Sequence, residues 1–358
     1  MADTLNSSLE LPSAGGFTIS EIRQQPDTWP VTFERVREAP LGRVSPPVIT
    51  GAGTSAYAAI AIESAWPGSR AIASTELLFD FEEALSSLGT IVSLARSGDS
   101  PESVAVVEKV QKRLPSVRHI ALTCNPNGKL ANWPGVEAVL LDPLSNDRSL
   151  VMTSSFSNLV LAGIALSRPA ELGQALPVLC AGARTVIGKY EATARALAAE
   201  PPARVVALGS APLFGAAREA TLKVLEITSA RIPAIPETYL GLRHGPMSFV
   251  NADTLVLCLI SSDPKRRRYE MDLVNELRAK KIGRLVGLAP ADADTSAFDE
   301  VVTTEASSLP DYLRTPAEIV FCQLLAYHLS LRFGLDPDNP SPGGVINRVV
   351  QGVRIYED

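Results

Sequence analysis

The chain has 358 residues, enough for two domains of about 150 residues each. Hydrophobic residues make up 46% of it and charged residues 20%, a balance that supports packed cores and excludes a disordered chain. The net charge of −6 excludes the basic footprint of a nucleic-acid binder, and no apolar run reaches the ~20 residues of a membrane helix.

Residues 1–16 are polar and rich in Ser, Asn and Gly, so they are expected to be loosely attached. They lack both a basic start and an apolar run, so no secretory signal is expected and the chain reads as cytoplasmic. A helical segment is expected over 18–39, interrupted at Pro26 and Pro30. The first apolar strand then ends in Gly51-Ala52-Gly53-Thr54-Ser55 and leads to a helical pattern at 58–65. The next strand, 90–95, ends in Arg96-Ser97-Gly98-Asp99-Ser100-Pro101-Glu102. Strands at 120–123 and 138–141 follow, with helices around 152–166 and near 175–200. Glu200-Pro201-Pro202 bars helix continuation and marks the clearest boundary.

Beyond that boundary the chain repeats itself. Val205 to Ser210 answers the strand at Val48, and a helical pattern over 216–227 answers 58–65. The run at 255–260, ending in Ser261-Ser262-Asp263-Pro264, answers 90–95; 285–288 and 300–303 answer the last two strands. A helix at 316–333, a Pro- and Gly-rich loop at 336–344 and a segment at 345–356 close the chain. Strands without period-two polarity belong in a parallel sheet buried on both faces, so the fold class is α/β with helices on both sides.

In such sheets ligands bind at the carboxyl ends of the strands, near the topological switch point. Both hydroxyl-rich loops of the first copy lie there, and Gly51, Gly53 and Gly98 permit close backbone approach. Helix N-termini beside short hydroxyl side chains favour a phosphate; the alternative is that Ser55 and Ser100 simply cap their helices. Gly51-x-Gly53 lacks the third glycine and the acidic partner of a dinucleotide fingerprint. Glu219, Lys223 and Glu226 share one helix face, as an exposed salt-bridged row or as a catalytic group. Of the three histidines, His328 reads as a core or interface residue and His119 as a surface residue before a strand. His244 sits in the Gly/Pro-framed loop Leu242-Arg243-His244-Gly245-Pro246, where it serves either the loop or proton transfer. Cys124, Cys180, Cys258 and Cys322 show no metal-ligand spacing and read as buried free thiols, so neither a metal nor a cofactor is expected.

Taken together, the loops at 51–55 and 95–102 and the Arg243-His244-Gly245-Pro246 segment resemble the sugar isomerase (SIS) family of phosphosugar-binding proteins. The resemblance runs from about residue 34 to 356 as two tandem SIS domains, each a flavodoxin-like three-layer sandwich. It implies an N-terminal segment at 1–33, a sugar-phosphate-binding domain at 34–200, a domain at 201–335 that supplies catalytic groups, and a tail at 336–358. Residues 147–156 and 347–353 are similar to markers of the galactosamine-6-phosphate deaminase and tagatose-6-phosphate ketose/aldose isomerase group.

Carried over residue by residue, the family implies that Thr54, Ser55, Ser97 and Ser100 contact the phosphate and sugar; Gly53 and Arg96, in the same two loops, are further candidates for substrate binding, Arg96 as a discriminator between substrates. Glu226 matches the base that moves a proton between C2 and C1, and His244 a ring-opening acid/base donated by a neighbouring subunit. Glu219 and Lys223 match a helix-face pair near the sugar, and Asp147 stands where the family has a glutamate. Gln351 aligns with the tail lysine through which the related glutamine–fructose-6-phosphate aminotransferases form a Schiff base; an amide cannot form one. No glutamine-hydrolysing domain is expected either, since no cysteine precedes Cys124. The implied activity is aldose–ketose isomerisation or deamination of a hexose- or hexosamine-6-phosphate, in a homodimer or larger assembly with sites near the interface. Alternatives are a deglycase of sugar-phosphate–amine adducts and a non-catalytic phosphosugar sensor.

Overall fold

A computed structural model describes residues 14–356; the expectation for residues 1–16 therefore falls almost wholly outside the described residues. The first helix, α1 (Gly16–Glu38), runs unbroken through Pro26 and Pro30, contrary to the interruption expected there. Pro26 leaves the Ile22 carbonyl without its helical donor, and Gln25 Nε2 supplies one at 2.9 Å. Then come β1 (Val48–Thr50), α2 (Thr54–Ala65), a two-residue β2 (Arg70–Ala71) and α3 (Ser74–Ala84), followed by β3 (Thr90–Ala95), α4 (Pro101–Arg113), β4 (Arg118–Thr123) and β5 (Val136–Leu140). Helices α5 (Ser154–Ser167), α6 (Pro169–Thr185) and α7 (Glu191–Ala199), the last two joined by a π-helical turn, lead to the second copy.

That copy holds β6 (Arg204–Gly209), α8 (Phe214–Ile227), β7 (Ala234–Glu237), the short α9 (Tyr239–Leu242), β8 (Thr254–Leu259), α10 (Pro264–Lys280), β9 (Arg284–Leu288) and β10 (Glu300–Val302). Helix α11 (Asp311–Arg332) begins earlier than the helix expected at 316 and carries Pro316 within its body. Among the described residues no helix is long and apolar enough to cross a membrane.

The repeat is exact in topology. The first sheet is ordered β2-β1-β3-β4-β5 and the second β7-β6-β8-β9-β10, with every neighbouring pair parallel. Val48 pairs with Ile91 in one sheet and Val205 with Leu255 in the other, so the strands that the sequence repeat matches are the ones paired at the centre of each sheet. Successive residues face opposite sides, as the pleat requires. Val48 and Ile91 pack under α3 and α4, while Ile49 and Val92 join a core with α1, α2 and α5. In the second sheet Val206 and Val256 pack under α10, whereas Val205 and Leu255 enter that same large core. Both copies are thus three-layer sandwiches sharing one central core.

One glycine sets the distance between them. A Cβ on Gly215, in the first turn of α8, would lie 2.7 Å from Ala61 N, so α8 crosses directly on α2. This close approach brings the polar face of α8 against the loop after β1.

Candidate active site

The β1 and β3 loops open side by side at the switch point of the first sheet. Gly51 is required there, because a Cβ would sit 2.5 Å from Ser55 Cβ and 3.0 Å from Leu94 O. Gly53 and Gly98 adopt φ of 56° and 75°, values that favour glycine. Between the loops is a cleft of about 150 Å³ lined by Gly53, Thr54, Ser55, Arg96, Ser97, Ser100 and Glu226, among others. Neither α2 nor α4 is capped by a side-chain hydrogen bond, so Ser55 and Ser100 are not used as caps. Two helix N-termini and four hydroxyls facing one small cleft suit a phosphate.

Lys223, completely buried, ties the second copy to this cradle. Its Nζ donates to Glu226 Oε2 at 2.6 Å and to Thr54 Oγ1 at 3.1 Å, and lies 3.2 Å from Glu219 Oε1. Thr54 Oγ1 in turn donates to Glu219 Oε1 at 3.3 Å. The row is therefore a buried network rather than an exposed salt-bridged face. Burial pushes the Glu219 carboxyl up to about 8, outweighing the nearby ammonium. Burial also works against the charge on Lys223, but Glu219 and Glu226 together raise it above the ordinary lysine range. Of the three α8 side chains in this group only Glu226 reaches the cleft, with its side chain 24% exposed. A carboxylate held by an ammonium beside a phosphate-sized cradle is suited to accept and return a proton.

The tail completes the site. Ile346, Asn347, Arg348 and Val350 line the same cleft, so Asn347 and Arg348, which lie in one of the family-marker segments, are also neighbours of the site. Arg348 Nη2 donates to Asp147 O at 2.6 Å and to Asn146 Oδ1 at 2.8 Å. Arg96, expected to meet substrate, instead donates from Nη1 to Leu150 O at 2.9 Å and from Nη2 to Arg348 O at 2.8 Å. Its guanidinium lines the cleft but works as a clasp on the tail. Burial, then the neighbouring Arg348 charge, pulls its pKa down to about 10.

Besides Glu219 and Lys223, three further expected site residues are not brought to the cleft. Asp147 is fully buried and its carboxylate accepts from Thr153 N at 2.8 Å, Ser154 N at 3.1 Å and Ser155 N at 2.9 Å, and from the hydroxyls of Ser154 and Ser155. It anchors the start of α5, so the substrate contact expected of it is corrected to a helix-capping role. Gln351 is exposed on the tail just past Val350, outside the cleft lining. His244 is exposed in the loop after α9 and likewise lies outside it. His119, expected at the surface, is buried within β4, where desolvation pulls its pKa down to about 4. His328 is buried on α11, its Nε2 3.4 Å from Glu191 Oε1. All four cysteines are buried and free.

No family model matches the chain. It is 39% identical over 95% of both chains to a Streptomyces coelicolor protein provisionally named D-galactosamine-6-phosphate deaminase AgaS. It is 34% identical to the D-galactosamine-6-phosphate deaminase AgaS of Shewanella sp. strain ANA-3, over 99% of this chain and 96% of that one. Among solved structures, the tagatose-6-phosphate ketose/aldose isomerase from Escherichia coli superposes with a TM-score of 0.81 at 29% identity, covering 96% of this chain and all of that one.

Proposed function

The chain belongs to the D-galactosamine-6-phosphate deaminase and tagatose-6-phosphate isomerase family of tandem SIS-domain proteins, and we propose that it turns a galactosamine-type hexosamine-6-phosphate into the ketose-6-phosphate and ammonia. The observation that carries this reading is the presence of Glu226, from the second copy, in the cleft that Thr54, Ser55, Ser97 and Ser100 of the first copy line.

The first copy grips the phosphate through its hydroxyls and helix N-termini. Glu226 takes the C2 proton of the open-chain amino sugar and returns a proton to C1, passing through an enolamine. The resulting ketimine takes up water, and the C2–N bond breaks to release ammonia and leave the C2 carbonyl. With a hydroxyl at C2, the same two proton transfers interconvert aldose and ketose. Lys223 orients Glu226, and Thr54 links this pair to the phosphate grip.

His244 is the acid/base for ring opening, and another copy of the chain delivers it. Its exposure and its position outside the cleft of its own chain support that arrangement. The test is a panel of galactosamine-6-phosphate, glucosamine-6-phosphate and tagatose-6-phosphate, read out for both ammonia and ketose. Ammonia from galactosamine-6-phosphate in step with ketose supports the deaminase reading. Interconversion of tagatose-6-phosphate with its aldose, without ammonia from either amino sugar, reduces the activity to isomerisation.

A further inference from the structure

The second sheet has a switch point of its own, at the carboxyl ends of β6 and β8, and the chain fills it from within. Asp311, the first residue of α11 and only 5% exposed, directs its carboxylate into the loop after β8. Ser262 donates to Oδ1 from its backbone N at 2.8 Å and from its hydroxyl at 3.0 Å, and the Ser261 hydroxyl donates to Oδ2. Arg314 Nη1 reaches Oδ1 at 3.3 Å and Arg266 Nη1 reaches Oδ2 at 3.2 Å.

One backbone N–H, two hydroxyls and two guanidinium groups around a single anion make a donor set suited to a phosphate monoester. Arg314 is fully buried, and its other carboxylate partner is Glu318, at 2.6 Å. The Glu270 carboxyl also faces this switch point, accepting from Ser261 N at 2.7 Å. Ser261 and Ser262 are thus both held by carboxylates of the chain itself. In the first copy, Ser97 and Ser100 face the cleft. The β8 loop, Ile260 to Asp263, is also one residue shorter than Arg96 to Ser100 and has no glycine.

We propose that Asp311 is an internal substitute for phosphate at the second switch point, closing an anion cradle so that each chain grips one phosphosugar rather than two. Removing its carboxylate leaves Arg266, Arg314, Ser261 and Ser262 around a space that takes a free phosphate.

The test is to titrate inorganic phosphate calorimetrically into the full-length wild type and Asp311→Ala, with melting temperatures measured in parallel. The proposal predicts one more phosphate per chain in the variant than in wild type, and a larger phosphate-dependent rise in melting temperature. Asp311→Asn, which keeps the space filled, should bind no more than wild type. If Asp311→Ala does not fold, Asp311→Ser, which retains a short polar side chain beside the β8 loop, is read in the same way. A folded variant with the cavity opened that takes the same number of phosphates as wild type overturns the proposal. Because the count is a difference from wild type, it does not depend on whether the first cleft grips phosphate.

Discussion

Lys223 Nζ lies 2.6 Å from Glu226 Oε2 and 3.1 Å from Thr54 Oγ1, so one buried ammonium joins the carboxylate of the second repeat to the cradle of the first. The contact exists because α8 crosses α2 at Gly215, where no side chain holds the helices apart. The division of labour proposed for the two repeats therefore depends on one packed helix pair.

Replacing Lys223 by Met should destabilise the fold by about 3 kcal/mol, because it strips the cation from a buried carboxyl. The loss falls at the low end for a broken buried pair, since Glu219 is already raised to about 8 and can take up a proton. Urea unfolding checks this; a loss below about 0.5 kcal/mol, typical of a surface position, would contradict the buried network.

Stability should fall as pH rises from about 4.5 to 8. Burial raises Glu219 to about 8, and burial followed by the nearby Asp147 charge raises Glu21 to about 7. Both carboxyls hold protons in the folded state that the unfolded chain has lost, so their contribution is complete below about 4.5 and is lost as pH passes through the folded values. Melting temperatures should therefore be higher at pH 5.5 than at pH 8.5, and Glu21→Gln should flatten the difference.

Asp147→Asn should lower stability by about 2 kcal/mol, the scale of charge-assisted hydrogen bonds at a helix start, while KM for the sugar phosphate barely moves. A rise in KM with unchanged stability would restore the substrate contact first expected of this residue.

The sequence made the scaffold readable because the repeat kept its apolar strands and its offsets, and both sheets follow the same order. The two hydroxyl loops and Glu226 were legible for the same reason: strand ends and helix faces have fixed geometry. Other features depended on contacts that no local pattern encodes. Arg96 meets the Arg348 carbonyl across 252 residues of chain, so its role as a clasp on the tail could not be read from its own loop. Asp147 could equally bind a ligand or cap a helix, although the run Thr153-Ser154-Ser155 at a helix start was an available cue. At Pro26 the usual break is averted by a neighbouring side chain, Gln25, which helix propensity ignores. Strand β2, only two residues long, is too short to carry a periodic signal.

If His244 acts in the cleft of another copy, Glu226→Gln and His244→Ala should complement each other. Either variant alone should be inactive or nearly so, while subunits dissociated and reassembled together should regain activity through one intact site per mixed dimer. No recovery in verified mixed assemblies would contradict delivery of His244 by another copy.

The central claim is that the first repeat grips and Glu226 of the second moves the proton. Its most direct test is Glu226→Gln with galactosamine-6-phosphate, measuring binding calorimetrically and turnover as ammonia and ketose. The account predicts binding within a few-fold of wild type and turnover reduced by about 100- to 10,000-fold, the range of a lost general base. Ammonia and ketose formed at the wild-type rate would contradict it.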